Sequence, residues 1–247
     1  MERGKTYREY IYGNYADSLE HNLLTGDPVR ERRLICAYFR KNYLPYFPAD
    51  KNCRVLDLGC GMGNYVYAAR RYGYRNVTGV DASKPVVNYC RRNGLDCVHA
   101  DAREFLESHC GQYDVILFND VVEHFKKEEL FDVLTLLRQA LKGGGRVIIK
   151  TMNLSNPLTG AMGMFLDFTH ETGFTETSMR QVLLAASFQE VVVRGADIYV
   201  SPKPFIYLLQ AASRVINAFW YLCCCLYGRT TVRIFDKNLL AVAFKGD

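Results

Sequence analysis

Between residues 54 and 149 the chain repeats one unit, in which a short apolar run is followed by a turn of Gly or Asp and then by a stretch of helical periodicity. The apolar runs are mostly β-branched or aliphatic and alternate little with polar residues, which is typical of strands covered by helices on both faces. The repeat therefore predicts a mostly parallel sheet. We expect strands at 54–58, 77–80, 97–100, 115–119 and 146–150.

Helix signals fall between these runs. Ser83 and Pro85 predict the start of one helix, which we expect to end at Gly94. An apolar stripe over residues 128–141 predicts another helix, which three consecutive glycines at 143–145 should end. These helices connect successive strands, as a parallel sheet requires.

The pattern changes after the fifth strand. A loop rich in Asn, Gly, Met and Phe is expected over residues 153–173, followed by a helix over 176–187 that Thr175 caps. Two last strands, at 191–195 and 239–244, should pair antiparallel although a long insertion separates them.

The pattern divides the chain into a cap, a core and an insertion. We expect residues 1–50 to form an N-terminal helical cap, residues 51–198 and 237–247 the core, and residues 199–236 an apolar helical insertion. The cap is rich in tyrosine, and this part either covers a ligand or packs on the sheet. The tyrosines concerned are Tyr7, Tyr10, Tyr12 and Tyr15.

Residues 204–226 of the insertion are nearly all apolar. The few polar side chains recur at helical spacing, which predicts a helix with one narrow polar stripe. Arg214 near the middle disfavours a membrane-spanning helix. The helix should therefore lie in a membrane interface or pack against the domain or a second copy of the chain. The stripe consists of Gln210, Ser213, Arg214 and Asn217.

Composition narrows the function classes. The chain has 247 residues, of which 49% are hydrophobic and 23% charged, as in a globular domain with one sizeable core. A net charge of +5 without a long basic run does not indicate a nucleic-acid partner. Nine cysteines follow no zinc or disulfide spacing, and the first residues lack the apolar run of a secretion signal. We therefore expect reduced thiols and a cytoplasmic location.

Three alternating glycines follow the first strand. Gly59, Gly61 and Gly63 separate this strand from a helix at 64–71, so that the backbone can approach a ligand closely. A dinucleotide-binding fingerprint would need its third glycine at position 64, which is Asn. Asp57, inside the strand, would repel a pyrophosphate and favours a cationic or amino-bearing ligand.

Polar side chains also end the next three strands. Asp81 is placed to accept both hydroxyls of a ribose, Asp101 to meet an adenine amino group, and Asn119 ends the fourth strand. The carboxyl ends of parallel strands form the crevice in which open α/β sheets bind ligands. Each acid alone would equally well cap a helix. Together with the glycine turn, they predict a binding site.

This arrangement resembles the class I S-adenosylmethionine-dependent methyltransferases over residues 54–195, and in particular their broad small-molecule group. The resemblance implies a Rossmann-like α/β fold with a seven-stranded, mostly parallel sheet of order 3-2-1-4-5-7-6 and helices on both faces, with the hydrophobic helical insertion between the last two strands. It also implies an enzyme that uses S-adenosyl-L-methionine. The cofactor-binding residues would be Asp57, Gly59, Cys60, Gly61, Gly63, Asp81, Ala82, Ser83, Asp101, Ala102 and Asn119.

Two histidines are the candidate catalytic residues. His124 follows the fourth strand and His170 lies in the loop after the fifth, and a neutral imidazole can take a proton from a hydroxyl. Either histidine could instead tie its loop to a backbone carbonyl. Asp120, Glu123 and His124 also have a spacing that suits a divalent cation, in a segment that resembles ubiquinone-biosynthesis O-methyltransferases. Charges at helical spacing are common on surfaces, so no metal site is predicted.

The sequence thus predicts methylation of a hydroxyl on a small or glycan-like acceptor, free or lipid-linked. The Asn-rich loop at 153–173 resembles those of surface-polysaccharide methyltransferases. One alternative is a quinone or phenol O-methyltransferase of the ubiquinone type. Another is a catalytically silent cofactor-binding protein or membrane scaffold. Peripheral membrane contact through residues 204–226 and a homodimer are further expectations.

Overall fold

The computed structural model describes residues 7, 11, 28–198 and 205–247. Seven strands form one sheet in the order β3-β2-β1-β4-β5-β7-β6. The first five pair in parallel, and β7 runs antiparallel to both of its neighbours. The predicted Rossmann-like fold and strand order are confirmed. The strands are β1 (Arg54–Leu58), β2 (Asn76–Asp81), β3 (Cys97–His99), β4 (Tyr113–Asn119), β5 (Leu141–Met152), β6 (Glu190–Gly195) and β7 (Asn238–Phe244).

The helices connect the strands and continue beyond them. Short 3₁₀ turns follow the first helix and β4, at Leu44–Tyr46 and Val122–His124. The α-helices are α1 (Pro28–Asn42), α2 (Asn64–Arg71), α3 (Lys84–Arg92), α4 (Ala102–Glu107), α5 (Lys127–Ala140), α6 (Gly160–Leu166), α7 (Glu176–Ala185) and α8 (Phe205–Leu226).

The sheet is buried on both faces because successive strand residues point to opposite sides. Leu56 and Ile116 pack with residues of α4, α5 and α7 on one face. Val55 and Val115, next to them in the chain, pack with residues of α1, α2 and α3 on the other. The helices therefore cover both faces, as the uninterrupted apolar runs predicted.

The three glycines at 143–145 do not end a helix, and this prediction is wrong. Helix α5 already ends at Ala140, and the glycines lie inside β5, where the register against β4 shifts between Tyr113 and Val115. A Cβ atom on Gly145 would lie 2.9 Å from the carbonyl oxygen of Lys142 and 3.1 Å from that of Tyr113. Glycine is therefore needed for the close backbone approach at the bulge.

The long loop after β5 was also only partly predicted. Residues 153–173 contain the short helix α6, which the sequence pattern did not indicate. The helix that follows begins as expected, because the Thr175 hydroxyl accepts a hydrogen bond from the backbone nitrogen of Ser178.

The end of α1 is integrated into the core. Phe39 and Tyr43 are fully buried among residues of β1 and β4. Asn42 is also fully buried, and its side chain bonds to the backbone of Asp197 and to Arg194 at the end of β6. The division into a cap, a core and an insertion stays a prediction, and residues 199–204, like most of 1–27, lie outside the described residues.

Candidate active site

A cavity of about 640 Å³ opens at the carboxyl ends of β1, β2 and β4. Nine of the eleven predicted cofactor-binding residues lie on its wall. Asp57 and Gly63 do not. The nine are Gly59, Cys60, Gly61, Asp81, Ala82, Ser83, Asp101, Ala102 and Asn119.

The glycine loop shapes one wall of this cavity. Gly59 has a φ of 72°, and a Cβ atom on it would lie 2.3 Å from Cγ2 of Val121, so this glycine is needed for packing against the end of β4. Gly61 differs, because no atom lies within 4 Å of where its Cβ would be. Its bare backbone therefore faces open space, as expected of a loop that cradles a ligand.

Asp81 ties the glycine loop to the start of α3. One carboxylate oxygen accepts a hydrogen bond from the Gly61 nitrogen at 2.9 Å, and the other accepts one from the Ser83 nitrogen at 2.8 Å. Burial raises the pKa of Asp81, and these two backbone donors oppose that rise. Each carboxylate oxygen can accept a second hydrogen bond, so Asp81 can still bind a pair of hydroxyls.

Two buried polar atoms beside the cavity have no partner in the protein. The Asn119 side-chain oxygen accepts a hydrogen bond from the Tyr43 hydroxyl at 2.7 Å, whereas its amide nitrogen is unpaired. The Ser83 hydroxyl is unpaired too. Since buried polar atoms are normally paired, these atoms are suited to a polar ligand. Together with Asp81 and the bare Gly61 backbone, they fit a ribose-containing cofactor.

Asp101 and Asp57 are placed differently from Asp81. One Asp101 oxygen caps α4 by accepting hydrogen bonds from the backbone nitrogens of Arg103 and Glu104. Asp101 therefore has the helix-capping role that the sequence also allowed. The Asp57 side chain is buried behind the glycine loop. Burial first, then the neighbouring Cys97 and Asp81, raises the pKa of Asp57 to about 8. The expected role of Asp57 as a counter-charge to a cationic ligand stays a prediction.

The rest of the wall is largely apolar and was not predicted. Its residues lie within a few positions of the polar strand tips, so their place in the chain was the only available signal. Asp120 was considered only as a cation ligand. The other side chains were missed by sequence reasoning, and they are Leu58, Met62, Asn64, Tyr65, Val80, Val86, Ala100, Val121 and Phe125.

His124 is the candidate catalytic residue that lies on the cavity wall. Its Nδ1 atom is 2.8 Å from the Thr169 hydroxyl, which donates to a carboxylate oxygen of Asp167 at 2.7 Å. A hydroxyl has one proton, so it must accept a hydrogen bond from His124. In neutral His124 the proton is therefore on Nδ1, and Nε2 carries the lone pair.

His170 supports His124 from behind and is not on the cavity wall. The two rings meet edge to face with centroids 4.8 Å apart, and Nδ1 of His170 donates to the Gly163 carbonyl at 3.0 Å. Burial would raise the pKa of Asp167, but the Thr169 hydrogen bonds and the two histidines lower it below its ordinary value. The carboxylate therefore stays charged beside His124.

Asp120, Glu123 and His124 are not brought together as a metal site. Asp120 forms an ion pair with Lys150, and Glu123 is only 2% exposed. Val122–His124 is a single 3₁₀ turn rather than the helix that would align these residues.

Known proteins are similar to this chain over the strands and loops that form the cavity. Residues 55–145 match the family described as "Methyltransferase domain". An alignment of 129 residues is 31% identical to a ubiquinone biosynthesis O-methyltransferase of Chelativorans sp. and covers 47% of this chain and 50% of that protein. Residues 55–145 are therefore similar to methyltransferase domains, which agrees with the predicted resemblance to class I S-adenosylmethionine-dependent methyltransferases. The chain spans about half the length of the relatives that it matches.

Solved structures agree with the fold of this methyltransferase domain. A SAM-dependent methyltransferase from Archaeoglobus fulgidus superposes with a TM-score of 0.64 at 23% identity, covering 86% of this chain and 94% of that one. The phosphoethanolamine N-methyltransferase 2 of Haemonchus contortus, in complex with S-adenosyl-L-methionine, has a TM-score of 0.59 at 17% identity, covering 87% and 52%. S-adenosyl-L-methionine, the cofactor that the sequence predicts for this chain, is the ligand bound in that structure.

Replacing Asp81 by Ala should weaken binding of S-adenosyl-L-methionine at least about 100-fold, because hydrogen bonds to a charged acceptor contribute about 1.5 to 3 kcal/mol each. Isothermal titration calorimetry measures the dissociation constant. Asp96→Ala is the control, since this exposed acid bonds to the Thr78 hydroxyl and does not line the cavity. Equal affinity of the Asp81 variant and the wild type would contradict the assignment.

The substitution Glu123→Gln should raise the free energy of unfolding relative to the wild type, and this difference should grow as the pH rises from 5 to 8. Burial and the neighbouring Asp120 raise the pKa of Glu123 from 4.5 to about 8. Between these values the folded state holds a proton that the unfolded state releases, so the stability of the wild type falls with rising pH.

Urea unfolding of the wild type and the variant at both pH values measures this change. The free-energy difference between the two proteins should change by more than about 1 kcal/mol over the range. The exposed Glu128, changed to Gln, should give a constant difference. A constant difference for Glu123→Gln would show that this carboxyl is ionised in the folded protein.

Proposed function

We propose that the chain is an O-methyltransferase that methylates a hydroxyl of a small, largely apolar acceptor beside His124. The observation that supports this most directly is the tautomer of His124, whose lone pair lies on Nε2 while Nδ1 is fixed by Thr169. A residue on the cavity wall with a basic nitrogen suits the removal of a hydroxyl proton. The O-methyltransferase activity named for the matched relatives agrees with this.

Bound S-adenosyl-L-methionine supplies a methyl group that is activated by the positive sulfonium. The residues of the chain must bind the acceptor in line with that methyl group and exclude water, which can contribute up to about 7 to 11 kcal/mol. His124 takes the acceptor proton as the oxygen gains the methyl group. Asp167, through the Thr169 hydroxyl, stabilises the resulting imidazolium, and the proton then passes to water.

An apolar phenol or quinol suits the site better than a glycan. Asn153 and Asn156 belong to the Asn-rich loop at 153–173 on which the glycan prediction depends, but both are used within the protein. The Asn153 amide donates to the carbonyls of Ile234 and Asp236, and the Asn156 amide donates to that of Phe235. Within the same loop, Phe165 is 84% exposed and Phe168 83% exposed, which favours an apolar acceptor.

Replacing His124 by Gln should lower the rate of methyl transfer about 10²- to 10⁴-fold, because a general base is lost, and should leave cofactor affinity within about twofold. His170→Ala should have a smaller effect, since His170 acts by positioning His124. Release of S-adenosylhomocysteine, with hydroquinone and with a methyl glucoside as acceptors, measures turnover. Cofactor affinity is measured separately by calorimetry.

His109→Ala is the matched control, because this histidine stacks on Phe105 and does not line the cavity. Wild-type turnover of the His124 variant would rule out the base. Faster turnover of the glucoside than of hydroquinone would favour the glycan acceptor. Cofactor binding without any product from either acceptor would favour a catalytically silent protein.

We also propose that α8 docks on an anionic membrane surface. The helix has 22 residues and none is buried, although nearly all are apolar. Three of its four polar residues face the protein, since Gln210, Ser213 and Asn217 are only partly exposed and Asn217 hydrogen-bonds to Asp236. The outward face is apolar, with Tyr207 72% exposed. Its other large exposed side chains are Phe205, Leu208, Val215, Ile216, Phe219, Tyr221, Leu222 and Leu226.

The charge around α8 suits anionic lipid. Residues 205–235 contain no Asp or Glu, while Arg214, Arg229 and Arg233 are exposed. Cationic side chains beside an apolar face favour adsorption to anionic lipid headgroups. Among the described residues, no helix is both long and apolar enough to cross a bilayer, so the contact would be peripheral.

The purified protein should float with vesicles that contain phosphatidylglycerol and much less with pure phosphatidylcholine, because the exposed arginines add electrostatic attraction to apolar burial. Changing Leu208, Phe219 and Leu222 together to Ser should abolish flotation. The matched control is the triple change of Leu34, Phe131 and Leu184 to Ser, all exposed apolar residues outside α8. Absence of flotation, together with a dimer that only the α8 variant dissociates, would instead identify this face as a contact between two copies.

A further inference from the structure

Three thiol groups converge beneath the glycine loop. Cys60 follows β1, Cys90 lies in α3 and Cys97 begins β3, and their side chains are all buried. The three sulfur atoms lie within 4.8 Å of one another, and those of Cys60 and Cys97 are 3.9 Å apart. The proposed methyl transfer does not use these thiols.

The spacing of the sulfur atoms matches that of metal ligands. A Zn²⁺–thiolate bond is about 2.3 Å long, so three sulfur atoms arranged in a plane around the ion would be about 4.0 Å apart. Small shifts of side chains would therefore bring all three sulfur atoms to bonding distance. Ordinary packing of small apolar side chains would not by itself bring three metal-ligand atoms this close together.

The backbone makes room for the cluster at Gly79. A Cβ atom on this residue would lie 2.8 Å from the sulfur of Cys60 and 2.9 Å from that of Cys97. The absence of a side chain on Gly79 thus lets two sulfur atoms approach each other over β2. Any larger residue would displace them.

The thiols of the cluster are already in mutual contact, since the Cys60 thiol donates a hydrogen bond to the sulfur of Cys97. The thiolate, rather than the thiol, is the metal ligand. The Asp81 carboxylate nearby would also stabilise an added positive charge.

We propose that Cys60, Cys90 and Cys97 form a binding site for one thiophilic cation of the Zn²⁺ or Cu⁺ type. Soft thiolate ligands select these ions. Binding releases the thiol protons to water, so that three thiolates surround the ion. Cys60 also lines the cofactor cavity, which provides the route of entry. The site is separate from the proposed base and does not depend on the acceptor.

Cadmium titration of the reduced full-length protein tests this site, because Cd²⁺ bound to thiolates gives a charge-transfer absorption in the ultraviolet. The protein should carry Ser at the other cysteines that are not buried, namely Cys36, Cys110, Cys223, Cys224 and Cys225. We expect this absorption to saturate at about one Cd²⁺ per chain. Zn²⁺ should then displace Cd²⁺ and remove the absorption.

Cys97→Ala and, separately, Cys90→Ala should each weaken Cd²⁺ binding at least tenfold. Cys53→Ala is the matched control, since Cys53 is a buried thiol outside the cluster, and it should leave the titration unchanged. Circular dichroism checks that each variant is folded, and the two cluster variants allow the test to proceed if one fails to fold. No absorption at equimolar Cd²⁺, or the same titration in folded Cys90 and Cys97 variants, would overturn the proposal.

Discussion

The cavity depends on the carboxylate of Asp81. With one oxygen on the Gly61 nitrogen and the other on the Ser83 nitrogen, this side chain holds the loop after β1 and the start of α3 at a fixed separation. The parallel pairing of β1 and β2 makes this contact feasible, because it brings both strand ends to the same edge of the sheet. A single acid thus shapes the wall as well as offering acceptors for a ligand. The neighbouring Asn119 amide and Ser83 hydroxyl are left unpaired around the same opening.

Much of the fold was predictable because burial on both sheet faces leaves a strong signal in the sequence. The runs that became β1 to β4 contain few polar residues, and Gly59 and Gly61 mark the turn where the backbone lines the cavity. The glycines at 143–145 were misinterpreted because local rules assign such a run to a helix end. Their actual role depends on pairing with Tyr113, which is distant in the chain.

The sequence identifies the two candidate catalytic histidines, but it does not show which of them lies at the cavity. His124 and His170 are equivalent in residue type, and only the three-dimensional arrangement places one on the cavity wall and the other behind it. The link from His124 through Thr169 to Asp167 spans more than forty positions, since the first separation is 45 residues. The same limit applies to α8. Amphipathic patterning would place the polar stripe toward water, whereas all of the stripe except Arg214 faces the protein, where Asn217 bonds to Asp236.

The hydrogen bond from Tyr43 to Asn119 links the segment before β1 to the floor of the cavity. Tyr43 is fully buried and stacks on Phe39, so α1 and its aromatic side chains are part of the wall that supports Asn119. A shortened protein that starts at residue 51 would lack this support, and water would reach the inner side of β4. The smallest unit able to keep the cavity intact is therefore longer than the segment 55–145 that matches the methyltransferase domain, and shortened forms of the protein should retain α1.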